Sequence, residues 1–228
     1  LPYRWRPLTF KVDSANYVNE RAISTQQTGF SFVAQSRSWL PSPIGGILWF
    51  GVDDTYSTCY APMYCGITEI PGCFKVGNGD MLTYSETSAF WVFNLVSNFA
   101  YLRYDAMIPD VLKVQKSMED KFVAYTPSVD MAAQSLWNSG KKAEALQFLT
   151  DYSVNQANGM TKEWKKLSQY LIVKFIDGNI KKEKDGAFER TETGMPPSPD
   201  QPGYPEWWKK VIVDGTGDHL KMIGAPSH

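Results

Sequence analysis

Three short stretches between Gln27 and Gly66 carry the strand-like patterning of this chain. Phe30, Phe32 and Ala34 alternate with Ser31 and Val33, the period of two that a β-strand presents, with one face more polar. Ile47-Leu48-Trp49-Phe50 is continuous and apolar, as expected of a strand covered on both faces, and its run reaches Val52. A third run, Thr55–Tyr60, alternates less cleanly, and Pro62 ends it or confines it to a sheet edge. Leu40-Pro41-Ser42-Pro43 and Gly45-Gly46 make a turn-rich link between the first two runs. Two or three strands do not make a free-standing sheet covered on both faces, so strands from elsewhere are expected to complete it.

Helical spacing takes over after a loop at 67–86 that contains Pro71-Gly72-Cys73 and Gly77-Asn78-Gly79-Asp80. Ser88–Tyr104 is apolar nearly all round, which predicts a central helix with Phe90, Trp91, Leu95 and Phe99 mostly inaccessible. Within it Asn94, Ser97, Asn98 and Tyr101 share one stripe, which either lines a site or forms a hydrogen-bond seam. Four further helices are expected: Asp110–Tyr125, Val129–Asn138, Lys141–Asn158 and Thr161–Ile176, separated at Pro127-Ser128, Ser139-Gly140 and Gly159. A short helix over Asn16–Ile23 precedes the strands. The class is therefore α+β, a few strands followed by a helical region. Its divisions are a strand-rich part at 1–86, a helical region at 87–178 and an extended C-terminal tail at 179–228. Tyr204-Pro205-Glu206-Trp207-Trp208 would anchor that tail by aromatic burial.

Composition narrows the functions. With 23 Lys and Arg against 24 Asp and Glu the net charge is −1, which gives no footprint for nucleic acid or an anionic membrane. The Ser88–Tyr104 run, with Asn94, Asn98 and Arg103 inside it, falls short of the ~20 apolar residues of a membrane span. Three cysteines without a CxxC pair, and two histidines near the C-terminus, predict no zinc site. The first residues have no signal-peptide h-region, and a start at Leu1 fits a processed or truncated chain. Arg4-Trp5-Arg6 reads as a recognition patch or as cover for a core edge.

Candidate chemistry gathers at the strand ends, where loops carry binding groups. Gln35 and Arg37 follow the first run; Asp53 and Asp54 follow the second. A guanidinium at Arg37 suits a carboxylate, either of a substrate or of one of those aspartates. Adjacent carboxylates on a strand point apart, so Asp53 and Asp54 converge only if a turn intervenes. Otherwise one is a turn residue. Arg37 is expected near Asp53 or Asp54, which holds only if the 41–46 link crosses over or the strands shift, because antiparallel neighbours put successive strand ends at opposite edges. Cys59 has no neighbour in sequence to activate it and reads as a buried, inert thiol.

Several strings are familiar as they stand. Tyr3-Arg4-Trp5-Arg6-Pro7-Leu8, Gln27-Thr28-Gly29-Phe30, Arg37-Ser38-Trp39-Leu40-Pro41, Leu48-Trp49-Phe50-Gly51-Val52-Asp53-Asp54 and Ser88-Ala89-Phe90-Trp91-Val92-Phe93-Asn94 resemble bacterial cysteine dipeptidases of the N-terminal-nucleophile hydrolase superfamily, to which secernins are distantly related. The resemblance spans roughly 1–178, in order, and covers what looks like the C-terminal portion of such an enzyme. It implies an αββα sandwich, no cofactor or metal, a dipeptide substrate and a partner in the missing N-terminal half. Homo-oligomers and a cytoplasmic or exported location are both compatible with it. The family nucleophile is a Cys at the mature amino terminus, whose α-amine acts as base. Leu1 does not match it, so no catalytic residue is carried over; Gln35, Arg37, Asp53 and Asp54 stay as candidates for the substrate-facing edge. A scaffold without catalysis and an amidase on non-peptide acyl amides remain as alternative functions.

Overall fold

The computed structural model describes residues 9–18, 23–25 and 27–224 and divides into two units, Leu1–Ile172 and Val173–His228. The Arg4-Trp5-Arg6 patch lies outside the described residues.

A hairpin opens the first unit. Strands β1 (Thr9–Val12) and β2 (Ala15–Val18) pair antiparallel, and Asp13 takes the left-handed conformation at the turn, with φ 53°. Aspartate tolerates that region better than most side chains. Phe10 stacks on its cross-strand partner Tyr17 at 5.6 Å. The helix expected over Asn16–Ile23 is thus replaced by strand through Val18; residues 19–22 lie outside the described part.

The main sheet is antiparallel, in the order β3 (Phe30–Ser36), β4 (Gly46–Val52), β5 (Ala61–Tyr64). Its register runs from Ser36 opposite Gly46 to Phe30 opposite Val52. The turn-rich link folds as a single helical turn, α1 (Ser42–Gly45), with Pro43 in its first turn, where a missing N–H costs nothing. The third strand lies later than the pattern suggests. Residues 55–57 form a turn, 58–60 are irregular, and β5 follows as a buried edge strand that includes Pro62. The reason lies in α3: Gln115 donates to the carbonyls of Tyr56 and Thr58, and Glu119 accepts the Tyr60 amide at 3.0 Å. Side chains there take the place of a strand partner.

Helix α2 (Ala89–Ala100) buries a single face, Val92, Phe93, Val96, Ser97 and Ala100. Phe90, Trp91 and Phe99 are half-buried and Leu95 is 42 % exposed, so the expected set was one helical step out. Two long helices, α3 (Tyr104–Asn138) and α4 (Lys142–Phe175), replace the four expected ones. Pro109 and Pro127 sit inside α3. Both are exposed, as are Asp105 and Val123, whose carbonyls lose their partners, so water can satisfy the freed oxygens. Gly159 likewise lies inside α4, a cost of about 1 kcal/mol that packing outweighs. Asp110 meets Tyr170 at 3.4 Å while Val129 and Ala133 pack with Leu149, so α3 and α4 form an antiparallel hairpin.

That hairpin covers β4 and β5. Ile44, Ile47 and Tyr64 join Val129, Ala133 and Leu149 in one core cluster. Farther along, Phe93 of α2 stacks on the fully buried Trp164 of α4 at 4.5 Å and 8°. Hydroxyls and an amide of α4 clip the end of β5 and the chain after it: Ser153 accepts Tyr64 N, Thr150 accepts Thr68 N, and Asn158 accepts Cys73 N.

The second unit carries a two-residue-per-strand hairpin, β6 (Glu183–Lys184) with β7 (Ala187–Phe188), and a helix α5 (Glu206–Thr216). Within this unit Trp207 and Trp208 are exposed on α5 and pack edge-on to one another at 5.6 Å. Among the described residues no helix is long and apolar enough to cross a membrane.

Candidate functional site

The four candidate residues separate to opposite ends of the β3–β4 ladder. Arg37 follows Ser36, at the Gly46 end; Asp53 follows Val52, at the Phe30 end. The approach of Arg37 to the aspartates does not occur, because the link 41–46 is a tight connection between antiparallel neighbours.

At the first end Arg37 is buried. Its guanidinium pairs with Asp130 of α3 and donates to the carbonyls of Ile44 at 2.7 Å and Gly45 at 3.3 Å. Tyr64 donates to the other Asp130 oxygen at 2.7 Å, and its ring lies under the guanidinium. Burial and the Asp130 charge push the Tyr64 phenol well above its ordinary range. This is a satisfied buried ion pair that joins sheet to helix. Gln35 nearby is exposed and accepts the Trp49 indole N–H at 3.0 Å.

At the second end a turn brings the two aspartates together. Asp53 adopts φ 68°, and both aspartates become almost inaccessible, at 2 % and 1 %. Asp54 is a hub. Its Oδ1 accepts the Ser24 hydroxyl and the Tyr56 amide, and its Oδ2 accepts the Tyr101 hydroxyl at 2.6 Å. Asp53 differs: its Oδ1 is buried without a hydrogen-bond partner. Burial pushes its carboxyl up to about 7, against the pull of the Ser97 hydroxyl and the Asp54 backbone. Burial and Asp54 also raise the Tyr101 and Tyr104 phenols. Close return of the chain is allowed by Gly51, where a Cβ would lie 2.9 Å from Thr58, whose hydroxyl donates to Val52 O at 2.6 Å.

The polar stripe of α2 divides accordingly. Ser97 and Tyr101 face the aspartates, while Asn94 and Asn98 donate back to carbonyls of their own helix. Residues 5–117 match the model for peptidase family C69. The chain belongs to that family. No curated protein matches it. The C69 segment takes in both aspartates, Arg37, the sheet, α2 and the start of α3, and stops short of Glu119, Asp130 and α4.

A cysteine-type peptidase draws attention to its thiols. Cys59 is fully inaccessible, and burial, with the Glu119 charge, pushes its thiol far up. Cys73 is buried and raised by that burial, with Thr161 opposing. The thiolate is the nucleophile, so neither is poised to attack. Cys65 is exposed at the end of β5. Among the described residues no group of three or more His, Cys, Asp or Glu could hold a metal ion. Sequence reasoning missed Asp130, Gln115 and Glu119. The last two stand four apart on one face of α3, a detectable spacing, whereas Asp130 carries no local signal.

Proposed function

We propose that this chain is part of a C69 dipeptidase whose nucleophile is a cysteine other than Cys59, Cys65 and Cys73. The observation that carries the reading is the family match over 5–117, joined to the burial of Cys59 and Cys73, which pushes both thiols up. All three also have peptide amides as their α-nitrogens, so none offers a thiol and a free amine on one residue. In this reading the rest of an αββα sandwich pairs with the outer edge of β3. Supporting it, all of β3 except Ser31 is exposed, including Phe30, Phe32 and Val33. The buried aspartates then act by holding the end of β4, the α2 terminus and residues 54–60 in one arrangement, with Gln35 the accessible member of the four.

The test is a dipeptide panel with the full-length gene product and its C59A, C65A and C73A variants. Turnover is expected to persist within a few-fold in all three, and residues 1–228 alone are expected to show none. Abolition by one of the substitutions, with the fold intact by circular dichroism, would return the nucleophile to that thiol. Hydrolysis of acyl amides but not of dipeptides would move the substrate class.

A further inference from the structure

Beside the aspartate end of β4 lies a cavity of about 410 Å³ that the proposed chemistry has not used. Its walls are aromatic: Phe50, Phe74, Phe90 and Trp91, with Val52, the residue before Asp53, in its lining. These walls are held in place. Phe50 packs edge-on to Phe74 at 5.0 Å, and Phe90 edge-on to Trp91 at 5.7 Å. The Trp91 indole donates to the carbonyls of Asp80 and Thr83, both at 3.1 Å. Gly79, at φ 78°, closes that loop where a Cβ would meet Thr83 O at 2.9 Å.

Two opposite charges line the same cavity, Lys75 and Asp80. Lys75 is exposed and forms no ion pair among the described residues. Asp80 accepts the Leu82 amide at 2.8 Å, which with Thr83 holds its carboxyl below the usual carboxylate range. An apolar recess with one cation and one anion matches a small zwitterion that carries a bulky apolar side chain. The volume is near the lower end of the ~300–1,000 Å³ typical of small-ligand pockets, which suits a dipeptide better than a longer peptide.

We infer that this recess is the specificity site of the enzyme, taking an aromatic or branched aliphatic side chain of a dipeptide while Lys75 meets its free α-carboxylate and Asp80 its α-ammonium. The inference rests on the dipeptidase reading above. It predicts that substrates lacking a bulky apolar side chain, or either terminal charge, are poor.

The experiment uses the full-length enzyme, wild type and K75Q, with F74L as a second variant for the wall. Initial rates are measured on Phe-Leu, its C-terminal amide and Gly-Gly. Binding of a Phe-Leu analogue with a reduced peptide bond is measured by calorimetry. Wild type is expected to prefer Phe-Leu to Gly-Gly by at least about tenfold in kcat/KM, and K75Q to lose about tenfold for free Phe-Leu, mainly in KM, with little change for the amide. F74L should narrow the preference over Gly-Gly. Hydrolysis that K75Q leaves unchanged for both the acid and the amide would overturn the site while sparing the dipeptidase reading. Analogue binding that K75Q weakens, without hydrolysis of any dipeptide, would do the reverse. Neither turnover nor analogue binding would overturn both.

Discussion

Asp53 is a carboxyl on which burial presses hard. A carboxyl with an unpartnered buried oxygen is expensive as an anion and cheaper as an acid, which is why its titration moves up to about 7 from an ordinary 3.8. The linkage has a definite sign. Between about pH 4 and 7 the folded chain holds this proton and the unfolded chain does not, so stability falls as pH rises through that window and levels off above it. About three pH units correspond to roughly 4 kcal/mol. Asp53→Asn removes the ionisation, so urea unfolding at several pH values should show a flatter profile and a variant more stable than wild type above pH 7. Parallel profiles for the two proteins would defeat this account. Arg37 gives the opposite case, a charge with its partners in place. Arg37→Leu should strand Asp130 and cost about 3–5 kcal/mol in the same unfolding measurement. The aspartate pair was visible in the sequence, but its convergence was not, because it depends on a positive φ at a non-glycine residue. Asp130 stands 93 positions from Arg37, and no local pattern joins them.

Elements were more legible in type than in extent. The strand at 30 was marked by its period of two, the strand at 47 and the helix after 88 by their apolar runs, and each appears. The face that α2 buries was not, because a helix apolar all round does not say which side its neighbours take. Phe93 lies flat on Trp164, whereas Leu95 is 42 % exposed. Phe93→Ala should therefore cost ~3–5 kcal/mol by denaturant unfolding, and Leu95→Ala less than about 1. Similar costs for the two would place the core on the wrong side of α2. Prolines misled in the same way. Pro109 read as a break or a helix start and Pro127 as a break between helices, yet their exposure leaves the freed carbonyls to water, and packing against α4 carries α3 across both. The run at 55–60 reads as a strand until Gln115 and Glu119, more than fifty residues later, are seen to occupy its backbone.

At the scale of the molecule the sheet is the open question that chemistry can answer. Three strands, with helices packed against β4 and β5, leave β3 as an outer strand, and most of its side chains lie in water. Phe30, Phe32 and Val33 are 60 %, 53 % and 58 % exposed. The period-two pattern foretold a strand there and a need for further strands, but not where they join, because one strand reads alike at an edge or in a sheet centre. An outer strand with apolar side chains and unpaired backbone groups is a template for another strand. Residues 1–228 alone should accordingly self-associate as concentration rises, through β3 rather than through the helical face. Phe32→Lys places a charge on that edge strand without touching the buried core, so it should lower the association seen by light scattering and leave the thermal midpoint nearly unchanged. Phe93→Ala, which weakens the core, should do the opposite and promote association by populating unfolded chains. A chain that stays monomeric at high micromolar concentration would show that β3 is not adhesive. Association that Phe32→Lys leaves intact would place the contact elsewhere.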